Sequence, residues 1–207
     1  MPSPNVYVVD DDADVRTALA RLLHSAGLDP ATFDSPQAFL GHYDSDEPAC
    51  LVLDLAMPGI DGLDLQRMLE ARAPSLQIVF LTGHGDIAAG VQAMKRGAVD
   101  FLTKPVDDET LLAAIAQALA RARALHDTQA ERRNHQQRLG LLTAREKEVL
   151  DGVVAGKLNK QIAFDLGTVE KTIKFHRGNL MRKLQVRTIA DLVKFAERAG
   201  VGKRGGS

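Results

Sequence analysis

The sequence predicts two unlike domains in one chain. The first is an α/β domain with a doubly wound, five-stranded parallel sheet; the second, reached through a long helical linker, is a small all-α domain of four helices containing a helix-turn-helix. Three observations predict this. Over the first 105 residues, short apolar runs alternate with helical patterns. From Asp107 to Leu139 the chain contains neither Gly nor Pro. After Gly140, four short helix-forming segments follow closely on one another. The division drawn from these signals is 1–121 for the first domain, 122–140 for the linker and 141–207 for the second.

Val6-Tyr7-Val8-Val9, Leu51-Val52-Leu53 and Ile78 to Leu81 are continuous apolar runs, as expected of strands buried on both faces. Shorter strands are predicted at Ala31 to Phe33 and Asp100 to Leu102. Between the first two, Val15, Ala18, Leu19, Leu22 and Leu23 recur at helical spacing, ended by Gly27. Ser35-Pro36 is a cap followed by a first-turn proline, opening a helix to about Tyr43. Helical patterns also occupy about 63–72 and 87–96, the latter stopped by Gly97. Strand and helix alternating in this way make a parallel sheet with helices on both faces. Its ligand site belongs at the carboxyl ends of the strands.

In the linker region Leu111, Leu112, Ile115, Leu119 and Ala122 form an apolar stripe reaching Leu125, whereas His126 to Arg138 is almost wholly polar. One helix that packs on the first domain and then leaves it is the expectation; if helical throughout, it spans roughly 50 Å. Fraying over 126–138 is the competing reading, because a helix solvated all round is marginal alone. Beyond it, Thr143 caps a helix to Ala155, with Glu146 completing a capping box. Asn159 is placed as the cap of the next helix, to Leu166. Another runs from about Glu170 to Leu184 and the last covers about 188–199; the Gly-rich tail after Gly202 is expected to be disordered.

Hydrophobic residues make up 45% of the chain, enough for real cores, and no apolar run approaches the roughly 20 residues of a membrane span. Met1 to Asn5 shows no signal-peptide pattern. Cys50 is the only cysteine, which excludes an internal disulfide and fits a reducing cytoplasm. No Cys/His spacing suits zinc. The net charge of −1 hides a polarity: residues 1–138 carry 12 basic and 20 acidic side chains, a balance of −8, and residues 139–207 carry 14 and 7, a balance of +7. Such asymmetry suggests that the back end alone meets a polyanion.

Asp10 and Asp11 follow the first strand, Asp54 the third and Thr82 the fourth, and Lys104 stands just past the fifth. In a parallel sheet these ends cluster. Carboxylates so close raise one another's pKa unless a divalent cation neutralises them, and oxygen ligands of this kind suit Mg²⁺. Metal, ammonium and hydroxyl together spread the charge of a transferring phosphoryl group. The chemistry implied is phosphoryl transfer to a carboxylate nucleophile, Asp54. Each aspartate taken singly reads as a turn residue or helix cap; the joint arrangement carries the inference. Gly83 to Gly90 does not match the dinucleotide fingerprint, and no phosphate-loop lysine motif occurs. Ala56 stands where a haloacid-type phosphatase would want a second aspartate, so an enzyme acting on exogenous phosphoesters lacks its acid–base partner.

Val9-Asp10-Asp11, Asp54 followed by Met57-Pro58-Gly59, Thr82-Gly83-His84-Gly85 and Lys104-Pro105 resemble the receiver domain of bacterial two-component response regulators, a flavodoxin-like fold. The resemblance covers about residues 4–125. It implies that Asp54 accepts phosphate from a sensor histidine kinase and that Mg²⁺ is bound by Asp11, Asp54 and the carbonyl of Ala56, with Asp10 acting largely through water. It implies also that Thr82 reports the phosphoryl group, Lys104 pairs with it and Phe101 is the switching aromatic. In receivers the bond to the proline matching Pro105 is usually cis, aiming the ammonium into the pocket. Ala56 and His84 occupy positions that influence phosphate lifetime.

In the second domain Lys171, Lys174 and Arg177 share one flank of a helix whose Ile173, Leu180 and Leu184 face the core. Such a helix can enter a major groove, its cations on phosphates; alone, it equally describes a solvated cationic face. Leu142 to Glu146, Asn159-Lys160-Gln161-Ile162-Ala163 and Lys171 to His176 resemble the LuxR-type helix-turn-helix. The whole chain is thereby similar to the NarL/FixJ family of response regulators, particularly its FixJ and StyR branch. That implies a homodimer when phosphorylated, double-stranded DNA with two half-sites as ligand, contacts from Asn159, Lys160, Lys171, Thr172, Lys174, Phe175, His176 and Arg177, RNA polymerase as a further partner, and no enzymatic turnover beyond acceptance and slow self-hydrolysis of the aspartyl phosphate. The chain departs from the family at Thr168-Val169, where Ile-Ser is usual; Val169 cannot cap, and Thr168 is the substitute. That departure leaves a second reading, a phosphate-relay or interaction module with a degenerate DNA domain. Phe175 either reads a thymine methyl or packs.

Overall fold

The computed structural model describes residues 5–43, 47–70, 72–83 and 87–201. His84, Gly85, the first four residues and the tail from Gly202 lie outside them. By compactness the chain divides into two units, Met1–Asp127 and Thr128–Ser207.

In the first unit, β1 (Val6–Val9), β2 (Pro30–Phe33), β3 (Ala49–Leu53), β4 (Leu76–Thr82) and β5 (Asp100–Thr103) form one parallel sheet ordered β2-β1-β3-β4-β5. The helices between them are α1 (Ala13–Ser25), α2 (Pro36–His42), α3 (Gly62–Leu69) and α4 (Ile87–Lys95), and α5 (Asp108–Gly140) follows β5. Strand side chains alternate between two cores, as period-2 geometry requires. Tyr7, Val9, Leu51, Leu53 and Phe80 pack with Phe39 of α2, Leu65 of α3 and Ala93 of α4. Val6, Val8, Val52, Val79 and Leu81 pack with Leu23 of α1 and Leu111, Ile115 and Ala118 of α5. Burying a side chain such as Leu23 or Ile115 contributes about 2 kcal/mol each. Cys50 sits among the second set, and burial pushes its thiol pKa well up.

Local chemistry sets the boundaries. Asp12 caps α1 by accepting from the amides of Asp14 and Val15, and Ser35 caps α2, whose first residue is Pro36. Gly97, at φ +91°, turns the chain after α4. Gly62 allows a close approach: a Cβ there would lie 2.5 Å from the Asp54 carbonyl oxygen and 2.9 Å from the Phe80 ring.

The second unit holds the last turns of α5, then α6 (Ala144–Val154), α7 (Asn159–Asp165), α8 (Glu170–Lys183) and α9 (Ile189–Arg198). Its core joins Leu142, Val149, Leu150, Ile162, Ile173, Leu180, Leu184, Leu192 and Phe195. The polar segment of α5 is helical, against the fraying alternative, and several of its side chains have partners within this unit. Leu139 packs on the core, the His135 ring meets Phe195 edge-on at 4.7 Å, and Arg138 Nη1 donates to the Leu184 carbonyl at 3.3 Å. Thr143 and Glu146 form the expected capping box. Glu146 is buried: its Oε2 accepts from the Thr143 amide at 2.8 Å and from Lys183 Nζ at 2.7 Å.

Two caps differ from expectation. The N-cap of α7 is Leu158, with Gln161 Oε1 accepting its amide at 2.8 Å. Asn159 is already helical, and its side chain turns instead to α8. The N-cap of α8 is Val169, which makes no side-chain cap bond, so Thr168 does not substitute as cap. Asn159 stands one residue past its cap and accepts from Arg177, and Thr168 stands one residue before its cap, its amide donating to the Ala163 carbonyl at 2.9 Å to close the end of α7.

Candidate functional site

Parallel register brings the strand ends together. Val9 pairs with Leu53, Leu53 with Phe80 and Thr82 with Thr103, so Asp10, Asp54 and Lys104 emerge side by side. The Asp54 amide donates to the Val9 carbonyl at 2.9 Å, and the Lys104 amide to the Thr82 carbonyl at 2.7 Å. Lys104 Nζ lies 2.6 Å from Asp10 Oδ2 and 3.4 Å from Asp54 Oδ1. The Lys104–Pro105 bond is cis. Asp10 and Asp54 are buried, Asp54 at 6% exposure, while Asp11 is exposed. One carboxylate oxygen from each of Asp10, Asp11 and Asp54 lies within 4.8 Å of the others.

These contacts set the electrostatics. Burial raises the Asp54 pKa above the ordinary carboxylate value; Lys104 pulls it down and the Asp10 charge pushes it up again, with the net result raised. For Lys104, burial disfavours the charge, but its hydrogen bond to Asp10 and the fields of Asp54 and Asp10 prevail and lift its pKa. Two buried carboxylates thus share one ammonium, with the exposed Asp11 carboxylate beside them. A divalent, oxygen-seeking cation fits such a set because it supplies the missing positive charge.

Thr82 is fully buried at the end of β4. Phe101, half-buried on β5, packs against Phe80 with ring centroids 5.9 Å apart, and a Cβ at Gly90 of α4 would touch its ring at 3.3 Å. Ala56 is exposed in the loop two residues past Asp54. On α4, Ile87 at 83% exposure, Val91 and Met94 present apolar side chains to solvent.

Two participants went unread in the sequence. Arg16 Nη1 donates to the Asp10 carbonyl at 2.8 Å, and the Asp12 amide donates to Asp10 Oδ1 at 2.9 Å, so the loop carrying the acidic pair is held from α1. A basic residue one and a half turns past the acidic cluster was the available signal. Gly62 was the other; a glycine at a first helical position, against its propensity, signals close backbone approach.

In the second unit α7 and α8 form a helix-turn-helix, with Gly167 at φ +61° in the turn. Ile173, Leu180 and Leu184 are fully buried, as the stripe predicted. Lys160, Lys171 and Lys174 are exposed, and Thr172 and His176 half-buried. Phe175 is 66% exposed, with its ring centroid 5.8 Å from that of His176. Arg177 Nη1 donates to Asn159 Oδ1 at 2.7 Å, tying α8 to the start of α7. No helix among the described residues is long and apolar enough to cross a membrane.

Comparison with known proteins agrees with both halves. The family described as response regulator receiver domain matches residues 6–116, and that described as bacterial regulatory proteins, luxR family, matches residues 140–196. The transcriptional regulatory protein FixJ of Bradyrhizobium diazoefficiens is 40% identical over 197 residues, 95% of this chain and 96% of that one. The transcriptional regulatory protein TdiR of Thauera aromatica is 45% identical over 193 residues, 93% of this chain and 85% of its own. Among solved structures, the response regulator StyR superposes with a TM-score of 0.87 at 45% identity, covering 93% of this chain and 98% of that one. Full-length FixJ from B. japonicum gives 0.58 at 40% identity, covering 97% and 98%.

Proposed function

The chain belongs to the two-component response regulators that carry a receiver domain and a LuxR-type DNA-binding domain, and from that premise we propose that phosphorylation of Asp54 switches it between DNA-binding states. The observation that carries this reading is the placing of the buried Asp54 carboxylate 3.4 Å from Lys104 and within 4.8 Å of two further carboxylates. A carboxylate oxygen of Asp54 forms the new O–P bond as the N–P bond of a kinase phosphohistidine breaks, the electron pair returning to the imidazole. Lys104, already paired with Asp54, takes up the charge of the phosphoryl oxygens, and Thr82 donates its hydroxyl to one of them. Asp11, Asp54 and the Ala56 carbonyl would hold Mg²⁺, with Asp10 acting through water; bound there, the ion shields the entering anion from the carboxylates. Phe101 follows Thr82 and turns against α4. Turnover is confined to acceptance and slow self-hydrolysis.

In the phosphorylated state the exposed apolar face of α4, with β5 and α5, pairs two copies. A two-fold dimer then suits an operator of two half-sites. Contacts come from Asn159, Lys160, Lys171, Thr172, Lys174, Phe175, His176 and Arg177, and RNA polymerase is the downstream partner in the cytoplasm. The working domain divisions are 1–121, 122–140 and 141–207. The experiment is sequencing of genomic fragments captured by the full chain with Mg²⁺, with and without beryllofluoride, beside Asp54→Asn. Enrichment of a few two-half-site sequences only with the mimic, and only in the wild type, is expected. Equal enrichment in all arms would overturn the switch, and absence of enrichment in every arm would favour the relay reading.

A further inference from the structure

Helix α8 carries a carboxylate where a polyanion is to be met. Glu170 is its first residue, and Glu170 Oε1 lies 3.1 Å from Lys174 Nζ, one turn further on. Both side chains stay open to solvent, at 47% and 65% exposure, so the pair has no role in the core. A simple account exists: Val169 offers no side-chain cap, and an acid in the first turn complements the exposed helix amides. A glutamate one turn before a lysine also stabilises a helix slightly, and neither effect bears on what the exposed pair meets outside the helix.

A lone carboxylate at the reading end of the helix would be repelled by DNA phosphates. Paired with Lys174, it enters the groove at no net charge, presenting an acceptor and a set of donors side by side on one helix flank. A G·C pair presents the complementary row on its major-groove edge: guanine N7 and O6 as adjacent acceptors, then the cytosine N4 amino group as donor. An A·T pair interrupts that row, since the adenine N6 donor would face the ammonium and thymine O4 and its methyl the carboxylate.

Resting on the reading of α8 as the DNA-contacting helix, we propose that Glu170 and Lys174 act as one unit that reads a single G·C pair in each half-site. Lys174 donates to guanine O6 and N7, and Glu170 accepts from cytosine N4. Because Glu170 precedes Lys174 along the helix, the unit also fixes which strand carries the guanine. Phe175, beside it and exposed, is left to the neighbouring base pair.

The test is selection of duplexes from a randomised library by the full chain with Mg²⁺ and beryllofluoride, for the wild type, Glu170→Ala, Lys174→Ala and the double variant. Affinities of the selected duplexes are then measured at one salt concentration. The wild type should fix a G·C pair at one position, with A·T there costing roughly tenfold or more. Each single variant should flatten that same position while the other positions keep their preference, and the double variant should be no flatter than the singles. If Glu170→Ala keeps every base preference and only lowers affinity or melting temperature evenly, Glu170 serves the helix start alone and the proposal is overturned. A wild type that enriches no sequence overturns the DNA-binding reading itself, a result distinguishable because no variant is needed to see it.

Discussion

Substituting Gly62 by Ala tests how the first turn of α3 holds the loop that carries Asp54. The added methyl would sit 2.5 Å from the Asp54 carbonyl oxygen, 2.9 Å from Phe80 Cε1 and 3.1 Å from Leu55 Cα. Two of these neighbours are backbone, so no rotamer change relieves the clash. Overpacking of this kind costs about 1–3 kcal/mol, and fixed backbone puts the cost near the top of that range. The helix propensity gained on replacing Gly by Ala returns at most about 1 kcal/mol. The net is about 2 kcal/mol, which for a unit of this size lowers its melting temperature by roughly 8 °C. Gly41→Ala, in α2, is the matched control, because a Cβ there meets nothing within 4 Å; it should leave the unit unchanged or slightly more stable. Scanning calorimetry of the full chain reads both variants. Phosphorylation of Gly62→Ala by a small-molecule donor should also slow by roughly tenfold or more, since a displaced Asp54 backbone misaims the nucleophile. A Gly62→Ala protein melting within about 1 °C of the wild type would refute the reasoning.

Further outcomes follow from the same geometry. Mg²⁺ at about 100 times its dissociation constant should stabilise the first unit by about 2.7 kcal/mol, read as a thermal shift, and Asp11→Asn should lose most of it; an unchanged shift in that variant would remove Asp11 from the ligand set. Glu146→Gln should destabilise the second unit by about 2 kcal/mol at neutral pH in a denaturant titration, because it leaves half-buried Lys183 without its charge partner. Burial works against the Glu146 charge, yet Lys183 and Thr143 hold its pKa below the usual 4.5. Its contribution is therefore present above the unfolded value and lost as pH falls through the folded one, and the variant should show a flatter stability profile below about pH 5; parallel profiles would contradict this. Lys171→Ala should reduce the slope of log affinity against log salt by about 1, measured by gel shift, and an unaltered slope would take Lys171 off the phosphate backbone.

The sequence by itself determined the two fold classes, the parallel sheet that gathers Asp10, Asp11 and Asp54 at one end, and the capping box at Thr143 and Glu146. Each rests on a local signal: apolar runs that only a doubly covered sheet can bury, and cap residues whose side chains act within three positions. Tertiary structure alone decided the rest. Asn159 lost the cap position to Leu158 and bonds Arg177 eighteen residues away, a pairing that no local spacing announces. His135 and Arg138 read as surface residues of a linker, yet they contact Phe195 and the Leu184 carbonyl, because only the packed domain supplies those partners. Gly62 and Arg16 took meaning from what lies across space, a carbonyl one atom too close for a Cβ and another that needs a donor. Periodicity records which face of an element is buried; the identity of the neighbour on that face is settled by register and helix packing.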